Sequence, residues 1–214
     1  MVDSRDDCKS CGYVPAPLST GKDVMKGINL ICLNAVACSG KTTYMRAIAD
    51  LDGRYASEYE GKNRPLTLSI GRFFRETVGA EFFKDLPNPG SPEATDHWVN
   101  SMMHHAMNLA YYNDMDVITD SFPRKPQQLL WLMNSSFAST RNVNVEMRFL
   151  YVDENDHKDR ISGRMALCGS SEEKEFLQQR IDTDRASMIE IHQLTKKMIA
   201  SGNYKALSIK EMQI

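Results

Sequence analysis

Residues 35–42 read Ala-Val-Ala-Cys-Ser-Gly-Lys-Thr, between an apolar run and an amphipathic one. The spacing A/G-x-x-x-x-G-K-T suits a turn whose successive backbone N–H groups curl around phosphate oxygens, with the positive end of the following helix facing them. Small residues let the backbone approach closely. In that geometry Ala35, Ser39, Gly40, Thr42 and Thr43 line the anion, and Lys41 reaches the β and γ oxygens of a nucleotide. Thr42 adds a hydroxyl that can join the coordination shell of Mg²⁺. A plain strand-to-helix turn, with Gly40 permitting tight geometry and Lys41 solvated, is the competing reading.

A second constellation, "DSFPRKPQQ", follows the apolar run "MDVIT". It puts Asp120 at the carboxyl end of a buried strand, where α/β folds place ligand-binding groups. There Asp120 can hold Mg²⁺, partly through water, or cap the next turn, since aspartate bonds its own backbone readily.

These residues resemble a family. D-S-F-P-R-K-x-x-Q is similar to the D-G-F-P-R-T-x-x-Q signature of adenylate kinases and related nucleoside monophosphate kinases. "DRISGR", Asp159 to Arg164, resembles the segment that opens their ATP lid, and "EEKEFLQQRI" resembles an acidic pair followed by R-L. The resemblance spans about residues 28–210. It implies transfer of the γ-phosphoryl group of ATP to a nucleoside or deoxynucleoside monophosphate, with Mg²⁺. By the same resemblance Arg124 holds the acceptor phosphate, Gln128 faces its base and Arg160 lies against the donor base. Arg164 and Arg180 grip the transferring phosphates, and Arg75, in "LSIGRFFRE", matches another acceptor-phosphate arginine.

The chain also departs from the family pattern. Ile70 stands for a threonine near the acceptor, Ser121 and Cys38 for glycines, and Ser170 for a lid arginine. The lid, about Met165 to Ser171, holds one cysteine, Cys168, so the four-cysteine zinc lid of some relatives is excluded. The acceptor base stays open. So do two alternatives: a catalytically reduced nucleotide-binding or assembly subunit, and a kinase acting on another phosphate or a hydroxyl. A regulatory GTPase is disfavoured, for no N-K-x-D motif occurs.

Lys41, Arg124, Arg164 and Arg180, the candidate catalytic residues, suit the chemistry. Phosphoryl transfer between two anions needs fixed positive charge and in-line positioning more than a base. Guanidinium groups are permanently charged and offer phosphate a planar fork. Water is excluded if segments close over the pair; residues 71–113, as a monophosphate-binding insertion, and 157–185, as the lid, are the candidates.

The elements that must position these groups are legible as strands "INLICLN", "PLTLSI", "MDVITD", "VEMRFLYV" and "YKALSI". They alternate with helical stretches "KTTYMRAIADL", "PEATDHWVNSMMHHAMNLAYYND", "PQQLLWLMNSSF" and a long one from Ser171 to Gly202. The pattern predicts an α/β architecture, a five-stranded parallel sheet with helices on both faces, and the phosphate turn and the resemblance imply that it is a P-loop NTPase fold. Residues 1–27 read as an extension and 28–214 as the kinase domain.

Composition sets the remaining bounds. With 214 residues, 42% hydrophobic and 25% charged, the chain can bury one substantial core. A formal net charge of -2 supplies no global field for nucleic acid or anionic membrane; small-molecule nucleotides are the partners that the phosphate turn and the resemblance imply. The acidic start lacks a secretory pattern, and no apolar run is long enough to span a membrane, so a cytoplasmic location is expected. Five cysteines are expected to be reduced. Cys8 and Cys11 form only half a zinc knuckle, His104 and His105 point about 100° apart on a helix, and Met102, Met103 and Met107 read as core or groove filler, with contact to the acceptor base left open.

Overall fold

A computed structural model of the chain describes residues 27–49, 65–69, 92–120, 122–135 and 142–214. Arg75, Ile70, Ser121, Cys8, Cys11, residues 1–26 of the extension and residues 71–91 of the expected insertion lie outside the described residues.

In chain order the elements are β1 (Asn29–Asn34), α1 (Lys41–Ala49), β2 (Leu66–Leu68), α2 (Pro92–Tyr112), β3 (Val117–Thr119), α3 (Pro126–Asn134), β4 (Asn144–Tyr151), α4 (Glu154–Ala166), α5 (Ser171–Ala200) and β5 (Leu207–Gln213). All five expected strands form one sheet of order β2-β3-β1-β4-β5, and every pairing is parallel. The register sets Cys32 beside Thr119 on one flank and beside Met147 on the other, so the ends of β1, β3 and β4 share one rim.

The central strands carry apolar residues on both faces, as a parallel sheet covered on both sides requires. Leu30, Cys32, Val117, Val145, Met147 and Phe149 pack with Met103 and Met107 of α2, Leu129 and Leu132 of α3, and Ile191 and Met198 of α5. The opposite face packs Ile31, Leu33, Ile118 and Leu150 against Tyr44, Met45 and Ile48 of α1. The methionines of α2 thus belong to the main core, with Met103 and Met107 fully buried and Met102 packed partly buried against them. No described helix is long and apolar enough to cross a membrane.

Residues 157–185 form most of α4 and the first half of α5, joined at Leu167–Ser170. The α4 helix was not among the expected ones, because Glu154–Ala166 buries no residue and so carries no apolar stripe. Its start is written instead in polar atoms: the Asp153 carboxylate accepts from the Asn155 and Asp156 N–H groups. Ser170 caps α5 in the same way, accepting from Glu173 N at 3.2 Å. Thirty residues of α5 extend about 45 Å, enough to run from an exposed N-terminal end, past the strand ends, to the core.

Candidate phosphate-binding site

The loop between β1 and α1 is a tight turn. Ser39 N donates to Val36 O at 3.3 Å, and Tyr44 N to Gly40 O at 2.9 Å opens the helix. Gly40 sits at φ 90°, where a side chain is strained, and Cys38 adopts the left-handed region at φ 66°. The backbone N–H groups at the start of α1 have no intrahelical acceptor, and they carry the positive end of the helix dipole.

Four expected site residues converge at that rim. Lys41 Nζ donates to Ala35 O at 3.1 Å, across the base of the loop. Thr42 Oγ1 donates to Asp120 Oδ2 at 2.6 Å, which ties the first turn of α1 to the residue after β3. Lys41, Asp120 and Arg124 line one cleft, together with Asp184 and Ser187 of α5. Burial pushes the Lys41 ammonium down to about 8, opposed by Asp184 and Asp120, which raise it, and reinforced by Arg124 and Arg180.

Arg124 lines this cleft, and Arg180 of α5 shares the Asp184 carboxylate with it. Arg124 Nη2 donates to Asp184 Oδ1 at 2.9 Å, and Arg180 Nε lies 4.0 Å from Asp184 Oδ2. From above, α4 presents His157, Arg160 and Arg164 at helical spacing on one face. His157 Nε2 lies 2.8 Å from Ala37 O, and Arg160 Nη1 donates to Ser39 O. Burial raises the Cys38 thiol, while the charges of Arg164 and Arg180 pull it down.

Gln128 is turned inward. Its Oε1 accepts from Arg124 N at 2.7 Å and its Nε2 donates to Asp96 Oδ1 at 2.8 Å. The Asp96 carboxylate also takes Lys125 Nζ at 3.1 Å. With 3% exposure, Gln128 holds the Arg124 segment against α2. Arg160, expected against a donor base, lies on the loop carbonyl. Ser39 is buried, and among the described residues its hydroxyl has no hydrogen-bond partner; Thr43 is exposed on the first turn of α1.

Three residues of the site were not anticipated. Asp184 had one local signal, its position four residues after Arg180, the spacing of a helical ion pair. His157 shares a helix face with Arg160 and Arg164, a pattern visible only once α4 is drawn as a helix. Asp96 left no signal, since its partners come from another helix. The chain matches no protein-family model and no curated protein sequence.

Proposed function

We propose that the chain is an ATP-dependent kinase that transfers the γ-phosphoryl group to a nucleoside or deoxynucleoside monophosphate, on a P-loop NTPase fold with Mg²⁺. The observation that carries this reading is the meeting of Lys41, Arg124 and Asp120 on one cleft at the strand ends, with α1 opening beside it.

Each group has a role in such a transfer. Lys41 and the N–H groups of the Gly40 turn would bind the donor's β and γ oxygens. Arg124 and Arg180 would orient and neutralise the acceptor phosphate and the moving phosphoryl group. Arg160 and Arg164, on the helix over the loop, would cover the donor and exclude water. An acceptor phosphate oxygen attacks the γ-phosphorus, the bond to the β-bridging oxygen breaks, and the diphosphate of the donor leaves. The acceptor is already ionised, so no side chain has to remove a proton.

Thr42 and Asp120 fit Mg²⁺, because a hydroxyl and a carboxylate 2.6 Å apart offer the oxygen donors this ion takes. Bound there with the nucleotide, it would neutralise charge on the β and γ oxygens.

The test is a coupled assay of ATP consumption against every ribo- and deoxyribonucleoside monophosphate, with Lys41→Ala as control. Turnover with at least one acceptor, lost in the control, is the expected result. Nucleotide binding without turnover on any acceptor would replace this reading with that of a binding subunit. Cys38 at φ 66° favours that second reading, because a side chain occupies a left-handed position inside the loop.

A further inference from the structure

Asp184 holds an unusual place for a helix carboxylate. It is one member of an i,i+4 pair with Arg180 on α5, a type of pair that on a surface contributes little. Its stronger partner, however, is Arg124, 60 residues away in sequence and on another element. The two arginine side chains are 47% and 46% exposed, whereas the Asp184 side chain is 10% exposed. The anion is largely covered and its cations are the more exposed partners.

Each carboxylate oxygen faces a different guanidinium group, Oδ1 toward Arg124 and Oδ2 toward Arg180. Two oxygens of a phosphoryl group would engage the same pair in the same way. Lys41 and Asp120 line the cleft beside them. The carboxylate already occupies both guanidinium groups, so phosphate and Asp184 compete for the same two partners.

We propose that Asp184 is a resident counter-anion of the cleft, which positions Arg124 and Arg180 for phosphate and competes with phosphate for them. The proposal rests on the reading of this cleft as a phosphate site and adds the residue that sets its anion affinity. Without Asp184, Lys41, Arg124 and Arg180 would repel one another before a nucleotide arrived. With it, the guanidinium groups stay gathered and are handed from carboxylate to phosphate, so bound nucleotides leave more readily.

Competition and mere scaffolding predict opposite signs. Asp184→Asn keeps the shape and removes the charge. The expected result, by calorimetric titration at constant ionic strength, is that D184N binds inorganic pyrophosphate and a non-hydrolysable ATP analogue about tenfold more tightly than the wild type. In turnover, KM and kcat are both expected to fall about tenfold, since tighter binding slows product release. Asp184→Glu should restore wild-type values, and Asp184→Ser repeats the measurement should D184N fail to fold.

Equal or weaker binding by the folded neutral variants would overturn the counter-anion role while leaving the phosphate site intact. If the folded wild-type protein binds neither pyrophosphate nor the analogue at millimolar concentration, the phosphate reading fails, and the role of Asp184 with it.

Discussion

Thr42 Oγ1 and Asp120 Oδ2 lie 2.6 Å apart although 78 residues separate them in the chain. One opens α1 and the other follows β3, and the contact exists because β3 is the parallel neighbour of β1. Strand pairing thus sets a hydroxyl and a carboxylate side by side at the mouth of the loop. Asp120→Asn should weaken nucleotide binding about tenfold or more when Mg²⁺ is present, and by about twofold or less in EDTA. Titrations under the two conditions measure the difference; equal losses in both would detach Asp120 from the metal.

Lys41 predicts a pH dependence. Its ammonium titrates at about 8 instead of the ordinary 10.5, chiefly through burial. An anion binds the protonated form, so affinity should be flat below pH 8 and fall up to about tenfold per pH unit above it. Binding near pH 8.5 should take up a fraction of a proton, seen as a dependence of binding heat on the buffer's ionisation enthalpy.

The same shift has a consequence for folding. Between pH 8 and 10.5 the unfolded chain binds more protons at this position than the folded one, so the lysine opposes folding below pH 8 and this cost fades as pH rises. The Tm of Lys41→Met minus that of the wild type should therefore shrink on going from pH 7 to pH 9.5.

Two glycines should respond oppositely to alanine. At Gly40, φ 90° and an Arg160 nitrogen 3.0 Å from where a Cβ would sit make a side chain costly. Gly40→Ala should lose about 1–2 kcal/mol, lowering Tm by about 2–8 °C, and should weaken nucleotide binding. Gly163, inside α4, has open space around the same position. Gly163→Ala should gain about 0.5–1 kcal/mol and leave nucleotide affinity unchanged.

Gln128 tests how Arg124 is held. Gln128→Ala removes the acceptor for Arg124 N and a donor to Asp96. A loss of about 1–3 kcal/mol in stability is expected, measured by denaturant unfolding, with a several-fold rise in acceptor KM and a smaller change in donor KM. A larger effect on the donor would place Gln128 elsewhere in the chemistry.

Much of the fold and part of the site were legible in the sequence. All five strands could be read because buried parallel strands are short apolar runs, and the loop because its spacing governs which backbone groups face one another. The α4 helix escaped because it buries nothing. Arg160, Arg164 and Arg180 were visible as motif positions, but their partners were not.

What the sequence by itself determined is local: a tight turn at Gly40, a lysine and threonine opening a helix, an aspartate ending a strand. The tertiary structure alone decided the pairings. Asp184 meets Arg124 across 60 residues and His157 meets the Ala37 carbonyl across 120. Those contacts exist because the sheet order brings β3 and β4 to either side of β1, while α4 and α5 return over the shared rim. Backbone spacing is written residue by residue; which charges face one another depends on how distant segments pack.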